Sequence, residues 1–311
     1  LLACAKLNLD LRVLHKRPDG YHELRTVFQT ISLADRLTVE FTPGRRTLVT
    51  AESSVDIPDN LVTRAAGLVL DAAKVRGHAH FQLEKRIPMG SGLGGGSSDA
   101  AAVLLALPVL IGRSLPMETL QELAAKLGSD VPFFLEGGTA VGLGRGEELY
   151  PLPPARLGPM LVVAPRLHVS TPEAYKALSR GLTFSGLSHT IDSFRSFVWG
   201  LDGGLSKGGT CDGGANDFEA PVFKLHPRLK ALKGKLLKVG AQPARLTGSG
   251  SALFGVFGCK ADRDEALRSF QDEPAFAVSA ISRQQYRSLW WRQLRAHISG
   301  RVWPPQSRYD R

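Results

Sequence analysis

The chain has 311 residues, 43% of them hydrophobic and 22% charged, with a formal net charge of +10. That length accommodates two cores, and no apolar run approaches the ~20 residues needed to cross a bilayer. Seven arginines and one acid, Asp310, lie between Arg283 and Arg311, so the tail carries six of the ten net positive charges; the mildly basic body suits small anionic substrates and does not by itself suggest nucleic acid.

Residues 6–14 alternate with period two and predict a strand. Leu7, Leu9, Leu11 and Val13 share one face; Lys6, Asn8 and Asp10 share the other. A polar loop with turn residues Pro18, Asp19 and Gly20 follows. Two further strands are expected over 25–32 and 37–41, ending at a Pro43-Gly44 turn. Residues 60–75 read as a helix capped by Asp59 or Asn60, and 80–87 as a strand leading into a glycine-rich segment.

That segment, Pro88 to Leu107, carries Gly90, Gly92, Gly94, Gly95 and Gly96, then Ser97, Ser98 and Asp99, then an alanine-rich stretch. Glycines let the backbone adopt positive φ and approach a ligand closely. Ser97, Ser98 and Asp99 are suitable N-caps for a buried helix over 100–111. Bare N–H groups beside a helix N-terminus favour an anion, which predicts a phosphate cradle. The string Gly90-x-Gly92-x-x-Gly95 alone suggests a dinucleotide fold, but that fold requires a strand and an acid after the helix. Here one helix runs into another, and no P-loop lysine motif occurs.

An amphipathic helix is expected over 116–127, with Leu120, Leu123, Ala124 and Leu127 on one face and Gly128 as its terminator. Asp130 precedes Val-Pro-Phe-Phe, a helix start. Residues 137–149 read as a glycine-rich hairpin. The Pro-rich stretch 150–159 is the expected boundary between two domains, 1–157 and 158–311. In the second half, Thr171-Pro-Glu opens a helix, and 181–214 reads as a Ser/Gly-rich mobile loop. Thr247 to Ser251 forms a second glycine loop; a strand over 252–257, a helix over 261–271 and a strand over 275–282 follow it. The expected class is α+β. In the tail, Tyr286, Leu289, Trp290 and Leu294 share a helical face, which predicts a last helix packed on the body. A membrane-surface, nucleic-acid or partner contact is the alternative.

Three cysteines, Cys4, Cys211 and Cys259, are odd in number and lack zinc spacing. With no signal-peptide pattern, they lead us to expect a cytoplasmic protein.

The motifs AKLNL (5–9), DGYHEL (19–24), PMGSGLGGGSSDA (88–100), GSDVPFF (128–134), STPEAY (170–175), NDFE (216–219) and LTGSGSALFG (246–255) together resemble the GHMP kinase superfamily. Within it they are most similar to the branch acting on a cytidine-diphosphate-linked methylerythritol. The resemblance covers nearly the whole chain. It implies a two-domain α+β fold with the active site in the cleft between an ATP-binding, catalytic first domain and a substrate-binding second domain. It implies ATP as phosphoryl donor, with Mg²⁺ carried by ATP rather than held in a metal cage, and a small cytidylated acceptor. No nucleic acid or membrane span is expected, and the assembly is a monomer or homodimer.

By the same resemblance, Lys6 and Asp130 are the catalytic pair. From sequence alone Lys6 reads rather as an exposed strand-edge charge and Asp130 as an N-cap. ATP is assigned to Asn60, Lys85, Pro88, Gly90, Gly92, Leu93, Gly94, Gly95, Gly96, Ser97 and Ser98. The acceptor is assigned to Asn8, Tyr21, His22, Thr171, Tyr175, Gly248 and Ser249. Tyr21 and Tyr175 would sandwich the cytosine while His22 hydrogen-bonds it; Tyr175 also reads as a core aromatic. Cys4 stands where the family usually has proline shortly before the Ala-Lys pair. A homoserine or mevalonate-type kinase of the superfamily would lack DGYHEL, and a non-catalytic relative would be expected to lack Lys6 or Asp130.

Overall fold

The computed structural model of the chain describes residues 1–179, 194, 197, 198, 200 and 214–310. The loop expected over 181–214 lies almost wholly outside them. The first strand, β1 (Leu2–Lys16), pairs antiparallel with β2 (His22–Pro43). Its register shifts between Cys4 and Lys6 and again between Asn8 and Asp10. Such bulges bend a strand and re-aim its side chains. Ala5, Leu7 and Leu9 enter an apolar cluster shared with the second half of the chain, while Lys6 and Asn8 border a cavity.

The two strands expected over 25–32 and 37–41 are one, β2. It is long enough to pair at different points with β1, with β4 (Gly77–Glu84) and with β5 (Thr139–Gly144). A strand absent from the sequence reading, β3 (Leu48–Ser53), runs parallel to β4. It is joined to β4 through α1 (Leu61–Ala72), whose N-cap Asn60 accepts from the Val62 amide at 3.0 Å. The sheet closes with β6 (Glu148–Pro151).

Helix α2 (Gly95–Leu110) starts inside the glycine run and not at the serines. Gly94, at φ 71°, is its N-cap, and Ser98 and Asp99 are consequently buried within its first turns. The helix is apolar on all sides because the sheet, α1, α3 (Met117–Leu127) and α4 (Val131–Glu136) surround it. Gly128 ends α3, as its position suggested, in extended backbone.

A second antiparallel sheet, ordered β10-β7-β9-β8, comprises β7 (Met160–Val163), β8 (Ala244–Leu246), β9 (Leu253–Val256) and β10 (Ala275–Val278). Helices α5 (Thr171–Ser179), α6 (Glu219–Leu225), α7 (Pro227–Lys238) and α8 (Lys260–Arg268) accompany it. The chain leaves the first sheet at Pro151 and enters the second at Met160. The tail does not stay with the second half. Helix α9 (Arg283–Gln293) returns to the first core and buries Tyr286, Trp290 and Leu294 there. Grouping residues 283–310 with a second domain is therefore incorrect by packing. No described helix is long and apolar enough to cross a membrane.

Candidate active site

Two cavities meet at the glycine loop. The larger, about 780 Å³, lies between the two halves; the smaller, about 340 Å³, lies between the loop and the start of α1. Gly90 and Gly92 border both. The loop is pinned against the second half at Gly92, whose φ is +82° and where a Cβ would fall 2.3 Å from the Thr247 carbonyl oxygen. Only glycine fits there. The Ala252 amide donates to the Ser91 carbonyl at 3.0 Å beside it.

Lys6 is buried, with 4% of its side chain exposed, and reaches Asp130, 34% exposed, at 3.4 Å. It is not the strand-edge charge that the sequence alone allowed. A buried ammonium requires partners, and the Lys6 Nζ donates to Asn8 Oδ1 at 2.6 Å. Asn8 is fixed in turn: its Nδ2 donates to Thr26 Oγ1 at 2.8 Å and its amide donates to Thr247 Oγ1 at 2.9 Å. Asp130 precedes α4 but makes no capping hydrogen bond, so its carboxylate is left to the cavity and Lys6.

At the other end of the larger cavity, His22 stacks on Tyr175 with centroids 4.7 Å apart and planes 19° from parallel. Phe218 meets Tyr175 edge-on at 4.8 Å. Burial, with the charge of Asp130 adding to it, pushes the Tyr175 phenol up to about 12, so it stays neutral. Burial and the nearby Lys16 lower the His22 imidazole below its ordinary value. Tyr21 lines the same cavity, but the ring stacked on Tyr175 is that of His22. Tyr21 is 55% exposed, and the Arg145 guanidinium sits 4.9 Å from its ring centre. Thr171 and Ser249 share a hydrogen bond at 2.9 Å on the same cavity wall, next to Gly248.

The smaller cavity gathers Asn60, Lys85, Pro88, Leu93, Gly94, Gly95, Gly96 and Ser97. Ser98 is the exception. It lies on the inner side of α2, and its hydroxyl donates to the Cys4 carbonyl at 2.7 Å. It ties the helix to β1 and lines neither cavity, because α2 begins five residues earlier than the sequence suggested. Lys85 borders the cavity, but its ammonium pairs with Asp35 and with Asp99, the latter at 2.8 Å.

Arg145, His168, Thr26 and Thr247 complete the site without having been singled out from sequence. Thr26 and Thr247 act on Asn8 from segments remote in the chain; Thr247 opens the second glycine loop, whereas nothing local marks Thr26. Arg145 had one available signal, a lone cation in the turn of the glycine-rich hairpin. Among the described residues, no group of three or more His, Cys, Asp or Glu side chains is placed to hold a metal ion.

Residues 60–138 match the family model described as GHMP kinases N terminal domain, and residues 208–275 match that described as GHMP kinases C terminal. A 4-diphosphocytidyl-2-C-methyl-D-erythritol kinase of Solibacter usitatus is 52% identical over 319 residues, covering 100% of this chain and 97% of the relative. A crystal structure of 4-(cytidine 5'-diphospho)-2C-methyl-D-erythritol kinase superposes with a TM-score of 0.74 at 39% identity, covering 90% of this chain and 98% of that one. A homoserine kinase of Cytophaga hutchinsonii, at 19% identity and TM-score 0.68 over 91% of this chain and 96% of its own, shares the fold.

Proposed function

The chain belongs to the GHMP kinases and, within them, to the 4-diphosphocytidyl-2-C-methyl-D-erythritol kinase family, and on that premise we propose that it transfers the terminal phosphoryl group of ATP to the 2-hydroxyl of 4-diphosphocytidyl-2-C-methyl-D-erythritol. The observation that carries this reading is the Lys6–Asp130 pair, 3.4 Å apart, in the larger of two cavities that meet at Gly90 and Gly92. ATP occupies the smaller cavity with its phosphates on the glycine loop, where backbone N–H groups suit phosphate oxygens. The cytidylated acceptor occupies the larger cavity, with its base at His22 and Tyr175.

Phosphoryl transfer requires positioning and charge neutralisation more than covalent chemistry. The acceptor oxygen bonds to the γ-phosphorus as the bond to the β,γ-bridging oxygen breaks, and ADP leaves. The hydroxyl proton becomes acidic as the new bond forms and passes to Asp130. Lys6, held in place by Asn8, offsets negative charge on the transferring group, an effect strengthened by its burial. Mg²⁺ bound to the nucleotide would offset phosphate charge, and the Ser97 hydroxyl is among the polar groups of the smaller cavity that would meet its hydration shell.

ATP consumption measured with methylerythritol, with its cytidine-diphosphate derivative, and with homoserine and mevalonate tests this reading. Turnover is expected only with the cytidylated alcohol, and only until Mg²⁺ is chelated. Equal rates with and without the cytidine diphosphate would refute base recognition.

A further inference from the structure

Lys85 has surroundings that suit it poorly to contacting phosphate. It directly follows β4, before the glycine loop, and only 6% of its side chain is exposed. Its ammonium donates to Asp35 from β2 and to Asp99 Oδ2 from α2, the latter at 2.8 Å. Asp35, fully buried, uses its other oxygen to accept the Arg86 and Ile87 amides at 2.5 and 2.8 Å. One carboxylate therefore grips the backbone entering the loop, and the other sits on the first turns of the helix leaving it. Gly95 rests against this cluster, since a Cβ there would stand 3.1 Å from Lys85 Nζ and 3.0 Å from Ile87 Cγ2.

We propose that Asp35, Lys85 and Asp99 form a clamp that joins the two ends of the glycine loop and sets its shape before nucleotide binds, so that Lys85 serves the loop and not the phosphates. Charge supports the assignment. Two carboxylates share one ammonium, so the cluster is negative, or neutral when a proton is shared between the acids. In neither state does it offer positive charge to a phosphate. Burial and the nearby Asp35 raise the Asp99 carboxyl against the pull of Lys85. Burial alone would lower the Lys85 ammonium, but Asp99 and Asp35 outweigh it and raise it. The loop thus gains a preorganised conformation, and ordering it costs less of the nucleotide's binding energy.

The clamp rests on reading the smaller cavity as the ATP site, so the test separates the two. ATP is titrated calorimetrically into the acceptor-free protein and its Asp99→Asn and Asp35→Asn variants. Loss of one charged hydrogen bond is expected to weaken ATP binding by about tenfold in each. The KM for ATP rises correspondingly, while kcat and the KM for the cytidylated acceptor stay within about twofold. If Lys85 contacted the nucleotide instead, releasing it from Asp99 would tighten ATP binding; tighter or unchanged binding overturns the clamp. Should the variants not fold, hydrogen exchange on the unaltered, nucleotide-free protein decides. Slow exchange is expected of the Arg86 and Ile87 amides, which donate to Asp35, and of the Ser98 amide, which donates to the Gly94 carbonyl, and exchange as fast as in an unstructured chain overturns the proposal. Failure of the unaltered protein to bind ATP would overturn the site reading, whereas the exchange measurement bears on the clamp alone.

Discussion

The imidazole of His22 lies flat on the ring of Tyr175, 4.7 Å between centroids, so the first residue of β2 and helix α5 meet across the larger cavity. Each half of the chain contributes one ring, and Phe218 meets the Tyr175 ring edge-on. The pair is a flat, neutral platform of the kind a pyrimidine stacks on.

Tyr175→Ala is expected to weaken the cytidylated acceptor by about 10- to 100-fold, given ~1–3 kcal/mol for stacking a base on an aromatic ring. Tyr175→Phe keeps the platform and stays near the parent. ATP binding, at the other cavity, is unaffected by either. Separate KM determinations for the two substrates check this; an equal loss for both would assign Tyr175 to the core instead.

The platform is expected to be pH-sensitive through His22. Burial, and after it the charge of Lys16, holds the imidazole below its ordinary 6.5. Between the lowered folded value and 6.5, the unfolded chain binds more protons, so His22 contributes stability above that window and loses it as the pH falls through it. Acceptor affinity follows the same direction, because a protonated ring loses its hydrogen-bond acceptor. An NMR titration gives a His22 midpoint below 6.5, and the KM of the acceptor rises on acidification while that of ATP does not. A midpoint at or above 6.5 contradicts the argument.

Asp130→Asn is nearly isosteric and leaves both cavities intact, but it removes the proton acceptor. Loss of a positioned base costs about 10²–10⁴-fold in rate. Single-turnover measurements show that loss in the chemical step, with ATP affinity within about threefold of the parent. Unimpaired turnover would remove Asp130 from the chemistry and leave it as a plain helix-start residue.

The period-two pattern of 6–14 showed which side chains share a face, because a strand with one apolar side must present them so. It could not show that Lys6 is buried, since that depends on Asn8, Thr26 and Thr247 converging from three places in the chain. The glycine run marked the segment that borders both cavities, but α2 starts earlier than its sequence suggests. Sequence preference favours serine as N-cap, whereas here the left-handed Gly94 begins the helix and Ser98 bonds back to Cys4. Strand β3 was missed because its residues are half exposed and alternate weakly. Helix α7 did carry a helical spacing in Leu229, Leu232 and Leu236. The destination of the tail was beyond the sequence: an amphipathic face tells that it packs, not on what.

The tail makes the last prediction. Tyr286 is buried, and its hydroxyl donates to the Phe134 carbonyl at 2.6 Å, satisfying a carbonyl near the end of α4. Its ring lies against Gly137, where a Cβ would stand 2.5 Å away. Trp290 is fully buried in the same core. Trp290→Ala leaves a large cavity and is expected to cost about 3–5 kcal/mol. Tyr286→Phe strands one buried carbonyl and costs about 1–2 kcal/mol. Arg287 pairs with Glu136 at 2.6 Å, partly in solvent, and Arg287→Ala costs less than ~1 kcal/mol. Chemical denaturation checks this order. If the tail were a detachable docking arm, all three variants would unfold with the parent. The order Trp290, Tyr286, Arg287 instead marks it as the wall that holds α4, and with it the segment carrying Asp130, against the first core.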